Sequence, residues 1–103
     1  MNEKHWIVGH CNEFAEEFQL FPSALQDELV KHQLVLEQFG PEMGRPLVDT
    51  IRGSKLANLK ELRFTWDGQS YRFLFAFDPY RNAIILVGGC KANDKKFYQK
   101  LIP

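Results

Sequence analysis

Apolar and polar residues alternate through the second half of the chain, and the alternation breaks only where turn residues intervene. In "LKELRFTW" (59–66), Leu62, Phe64 and Trp66 share one side, with Glu61, Arg63 and Thr65 on the other. That is the period of two expected of a strand with one buried face. In "YRFLFAF" (71–77), Tyr71, Phe73, Phe75 and Phe77 share a side and leave Arg72, Leu74 and Ala76 opposite. Asp67 and Gly68 form the turn signal between these strands, and "DPYRN" marks the next turn, before a third strand in "AIILVGG". Gly88 and Gly89 in that strand indicate a bulge or a close backbone approach.

The N-terminal part follows a helical period instead. Leu25, Leu29, His32, Leu36 and Phe39 recur every three or four residues, Ser23 and Gln26 have capping-box spacing, and Gly40 with Pro41 stops the helix. A shorter helix carrying Phe14, Ala15 and Phe18 is expected after Asn12 as its N-cap, and His5 to His10 reads as a short first strand. Residues 41–58 read as an irregular connector, and residues 94–101 as a final short helix with Phe97 and Leu101 inside. The fold class is therefore α+β, one domain over residues 1–103, with N-terminal helices on one face of a small antiparallel meander and a short C-terminal helix. If the aromatic side of the meander faces the helices, Arg63 and Arg72 project from the other side.

Composition adds limits. With 14% aromatic residues, nine of them Phe, the chain has the means to pack a core. Uninterrupted apolar runs, such as Ala83 to Val87, are far short of the roughly 20 residues that cross a bilayer, and the N-terminus lacks a signal pattern. A cytoplasmic protein with no membrane partner is the expectation. Cys11 and Cys90 are the only cysteines and read as reduced thiols. His5, His10 and His32 lack metal-ligand spacing, so neither a metal nor a cofactor is expected.

The formal net charge is zero, but its distribution is uneven. Residues 1–50 carry three basic residues against nine acidic ones, and residues 51–103 carry ten against four. A basic half can attract phosphates even when the total cancels. Nucleotide-binding glycine loops, nucleophile elbows and paired helical histidines are absent. What stands out is a constellation of Arg63, Arg72, Lys91, Lys95, Lys96 and Tyr98, whose natural ligand is a phosphodiester backbone rather than a small molecule. Arg grips phosphate oxygens with parallel hydrogen bonds, Lys supplies a mobile charge, and Tyr can stack on a base or donate its proton. RNA cleavage needs no cofactor when an enzyme orients the 2'-hydroxyl and stabilises the added charge. The same side chains also fit an ordinary solvated surface, with Tyr98 anchoring the last helix.

"FGPEMGRPLVDTIRGSKLANLKELRF", "YRFLFAFDP", "AIILVGGCK" and "KFYQKLIP" closely resemble the phage-derived, HigB-like branch of the RelE/ParE superfamily of bacterial type II toxin-antitoxin systems. The resemblance runs from about Phe39 onward. It implies a RelE-like fold, a helix-turn-helix antitoxin as partner, and ribosome-dependent cleavage of mRNA. Carried over by motif, Arg63 and Arg72 would stabilise the phosphate. Lys91 would be the basic residue after the last strand and Tyr98 the C-terminal aromatic, with Lys60, Lys95 and Lys96 holding RNA. Cys90 stands where this branch commonly has Asp. Two alternatives remain open at this point: a non-catalytic ParE-like toxin that binds DNA gyrase, and a member that binds only its antitoxin.

Overall fold

A computed structural model describes residues 5–44, 47–51 and 59–90. The elements in chain order are β1 (Ile7–His10), α1 (Asn12–Gln19), α2 (Ser23–Phe39), a 3-10 turn (Gly40–Glu42), β2 (Val48–Thr50), β3 (Leu59–Trp66), β4 (Gln69–Phe77) and β5 (Asn82–Cys90). The C-terminal helix expected at residues 94–101 lies outside the described residues.

The five strands form one mixed sheet in the order β1-β5-β4-β3-β2. Strands β3, β4 and β5 make the expected antiparallel meander, and both its edges are extended, β1 correcting the purely antiparallel reading and β2 the reading of residues 41–58 as wholly irregular. Strand β1 runs parallel to β5, with Ile7 opposite Asn82 and His10 opposite Ile85. Strand β2, inside the segment read as an irregular connector, pairs antiparallel with β3, Val48 lying opposite Leu62.

Alternation decides which face is covered. Leu62, Phe64, Phe73, Phe75, Ala83 and Ile85 pack against Phe14 of α1 and Leu25, Leu29 and Leu36 of α2. Phe14, Phe73 and Phe75 are fully buried, and each such side chain removed from water contributes about 1.5–3 kcal/mol. Phe64 stacks on His32 of α2 at 4.5 Å and on Phe73 at 5.5 Å between ring centroids, tying the helix to the meander.

Helix α2 turns a slightly different face inward from the one its pattern suggests. Gln33 is buried, its Oε1 accepting a hydrogen bond from His10 Nε2 at 2.9 Å, and Phe39 is half exposed. Neither helix is capped as its sequence suggests. Cys11 and Pro22 occupy the N-cap positions with no side-chain hydrogen bond, and Asn12 and Ser23 are already helical. The Gln26 amide instead donates to the carbonyls of Phe18 and Phe21, closing the α1–α2 turn. At the C-terminus of α2 Gly40 has φ +56°, and a Cβ there would overlap the Trp6 indole.

Two features of β5 set its register. The pairing shifts between Leu74, opposite Val87, and Phe75, opposite Ile85, so Leu86 is the extra residue of a bulge. Its carbonyl accepts from the Cys11 thiol at 3.2 Å. Gly88 lies opposite Phe73, where a Cβ would come within 2.6 Å of the Arg72 carbonyl oxygen and closer still to Phe73. The close approach expected of this glycine pair is thus at Gly88, with the bulge two residues upstream.

Candidate nucleic-acid interface

The site is built from a two-residue hairpin. Asp67 (φ 51°) and Gly68 (φ 71°) both adopt left-handed backbone, which suits the tight turns whose twist matches the flanking strands. That turn places Trp66 opposite Gln69, Thr65 opposite Ser70 and Arg63 opposite Arg72. Residues paired in this way point to the same face: Trp66 and Gln69 toward the helices, Thr65, Ser70, Arg63 and Arg72 away from them. A row of two hydroxyls therefore stands beside a row of two guanidinium groups.

A third row follows. Asp49 of β2 is opposite Glu61 of β3, and Glu61 is opposite Leu74 of β4. Carboxylates thus stand one rung behind the arginines, on the side away from the hydroxyls. Arg63 Nη1 donates to Asp49 Oδ2 at 3.2 Å, both side chains being about 30% exposed or slightly less. Such a half-exposed pair is worth at most about 1 kcal/mol. Arg72 is more enclosed: its Nη1 donates to Ser70 Oγ at 2.6 Å and to the Tyr71 carbonyl at 3.1 Å. Its Nε lies 3.8 Å from Glu61 Oε1, with side-chain exposures of 14% and 7%. Like charges directly opposite in a ladder repel, and the carboxylate row offsets that repulsion.

An open cleft of about 250 Å³ is lined by Leu47, Arg63, Phe64, Thr65, Ser70 and Arg72. The hydroxyl and guanidinium rows line it; the carboxylates do not. The cleft can receive an anionic oxygen against two guanidinium groups, with two hydroxyls close by.

Of the residues expected from the sequence, the structure brings Arg63 and Arg72 together. It separates Lys60 from them. Lys60 alternates in step with Leu62 and Phe64, toward the helix side, and its amine donates to Thr50 Oγ1 at 2.9 Å. Lys91, Lys95, Lys96 and Tyr98 lie outside the described residues. Thr65, Ser70, Asp49 and Glu61 were not singled out in the sequence. The alternation that selected the arginines, continued one rung in each direction, reaches Thr65, Ser70 and Glu61. Cys90 sits on the helix-side row with Tyr71 and Phe64, away from the cleft, and its thiol meets Gln69 Oε1 at 3.6 Å. Burial, then the neighbouring Cys90 and Asp67, pushes the Tyr71 hydroxyl above its ordinary pKa.

The family model described as phage-derived protein, Gp49-like, matches residues 16–103. The chain belongs to that family. Its fold is RelE-like. A free-state structure of the E. coli toxin RelE, carrying two arginine-to-alanine substitutions, superposes with a TM-score of 0.64 over 92% of both chains, at 14% identity. The chain is similar to two candidate toxins of Mycobacterium tuberculosis by name. It is 53% identical to HigB3 over 70 residues, 67% of this chain and 60% of that protein. It is 59% identical to HigB2 over 59 residues, 56% of this chain and 29% of that protein. The aligned stretches thus span less than two thirds of either relative's length. No helix among the described residues of this Gp49-like protein is long and apolar enough to cross a membrane.

Proposed function

We propose that this Gp49-like protein is the toxin of a type II toxin-antitoxin pair and cleaves mRNA on the ribosome in the cytoplasm. The observation that carries this reading is the direct pairing of Arg63 with Arg72 over an open cleft. The likeness to proteins named as toxins supports it. In this mechanism the scissile phosphate spans the two guanidinium groups. Both can donate to its non-bridging oxygens, which gain negative charge as the reaction proceeds. The adjacent 2'-oxygen bonds to phosphorus and the bond to the 5'-oxygen breaks, giving a cyclic phosphate and a free 5'-hydroxyl. A base removes the 2'-hydroxyl proton and an acid supplies one to the leaving oxygen. Tyr98 and Lys91 are assigned to that proton and charge handling, and Lys95 and Lys96 to holding the flanking RNA. Lys60 reaches RNA only as a more distant contact, since its strand position faces away from the cleft.

The partner in this reading is a helix-turn-helix antitoxin, and no cofactor takes part. The test is induction of the chain in cells that lack an antitoxin for it, followed by mapping of mRNA 5' ends. New ends within translated codons, accompanying growth arrest, are expected. Growth arrest with intact mRNA and blocked gyrase supercoiling would instead identify a ParE-like binding toxin, and harmless expression an inactive member.

A further inference from the structure

The donors of Arg72 are unevenly used. Both Nη1 hydrogens are taken, by Ser70 Oγ and the Tyr71 carbonyl. Nε is buried, has no hydrogen-bond partner among the described residues, and faces the Glu61 carboxylate at 3.8 Å. Arg72 itself lines the cleft, whereas Glu61 does not. Glu61 is itself 6% exposed, on the interior strand β3, and lies behind the guanidinium relative to the hydroxyl row.

A carboxylate that only neutralised charge could sit anywhere near the arginines. Glu61 instead occupies the diagonal position from Arg72 across the β3–β4 ladder, close to Nε, while the backbone and Ser70 hold Nη1. Contacts at both Nη1 and Nε fix the plane of a guanidinium group, which is rigid and planar. A buried guanidinium also requires a compensating charge, and Glu61 supplies it without entering the cleft.

We propose that Glu61 is the positioning residue of the site, holding Arg72 from the side away from the hydroxyl row so that its guanidinium is presented to a phosphodiester in the cleft. This inference rests on the proposed RNA-cleaving function. Glu61 touches no substrate and acts through Arg72. It also repels an incoming phosphate, so positioning and through-space charge have opposite effects and can be told apart.

The experiment is a mutant cycle on the full-length protein, using the affinity of a short single-stranded RNA oligonucleotide and, in parallel, cleavage of ribosome-bound mRNA. The variants are Glu61→Gln, Glu61→Asp, Arg72→Ala and the Glu61→Gln/Arg72→Ala double, each checked for folding by circular dichroism. Glu61→Asp keeps the charge but shortens the reach. If Glu61 positions Arg72, both Glu61 variants weaken RNA binding and cleavage by about 3- to 10-fold, in line with coupling between contacting residues. The Glu61→Gln effect should then vanish in the Arg72→Ala background. Tighter binding in Glu61→Gln with wild-type behaviour in Glu61→Asp, or an effect that persists without Arg72, overturns the positioning role. Should Arg72→Ala itself change neither affinity nor cleavage, it is the proposed function of the cleft that fails.

Discussion

Arg63 and Arg72 face each other directly across the β3–β4 ladder, on the side of the sheet away from the helices. Two cations are held together there because each has its own carboxylate one rung away, Asp49 for Arg63 and Glu61 for Arg72. The zero net charge of the chain thus has a local counterpart. The acidic excess of the N-terminal half lies largely on α1 and α2, while the arginines open onto the opposite face.

Phosphate contact by this pair sets the salt dependence of RNA binding. Each neutralised phosphate of a single strand adds about 0.7 to the slope of log affinity against log salt. Arg63→Ala and Arg72→Ala should each reduce the slope by about that amount. Arg81→Ala, in the exposed turn before β5, should leave it unchanged. An unaltered slope in the cleft variants would show that neither arginine meets a phosphate.

Gly88 supports the cleft from the neighbouring strand. A Cβ at this position would press on Phe73 and on the Arg72 carbonyl, and overpacking of this kind costs about 1–3 kcal/mol. Gly88→Ala should lower the urea midpoint accordingly and weaken RNA binding with it, since the displaced backbone carries Arg72. A variant of wild-type stability would mean that the strands separate without cost here.

The His10–Gln33 hydrogen bond is the polar contact between β1 and the buried side of α2. Gln33→Ala leaves the His10 ring nitrogen without that partner and should cost about 1–3 kcal/mol in chemical unfolding. The RNA affinity of the folded protein should not change, because this contact lies on the helix side of the sheet.

Asp78 caps the turn between β4 and β5. The Asn82 side-chain amide above all, opposed by burial and assisted by the backbone amides of Asn82 and Tyr80, holds its carboxyl below the usual carboxylate range. A lowered folded pKa gives a contribution to stability that is fully present above the ordinary carboxylate value of about 4 and is lost as pH falls through the lower folded value. Asp78→Ala should therefore flatten the acid limb of the stability profile while changing little of its shape near neutrality. An unchanged acid limb would contradict this.

Much of this arrangement was legible because it is local. The period-two patterns of β3 and β4, joined by a two-residue turn, determine that Arg63 and Arg72 share a face and which face that is. The same reasoning extends to Thr65, Ser70 and Glu61, and it sets Lys60 on the helix side with Leu62. What the pattern could not supply depends on contacts distant in sequence. The parallel pairing of β1 with β5 joins residues about 75 apart. Strand β2 has only three residues, too few for alternation to register, and Asp49 came to light only through its pairing with β3. The helix caps misled because Gln26 found carbonyl partners in the preceding turn instead of the first-turn amides.

Single-turnover cleavage of a defined mRNA bound to ribosomes, compared among the wild type, Arg63→Ala and Arg72→Ala, tests the arginine cleft most directly. Loss of one preorganised charge donor to the transition state commonly costs 10²-fold or more. Each variant should cleave at least about 10²-fold more slowly, with wild-type folding. Cleavage at the wild-type rate in either folded variant would contradict the assignment of that arginine to the scissile phosphate.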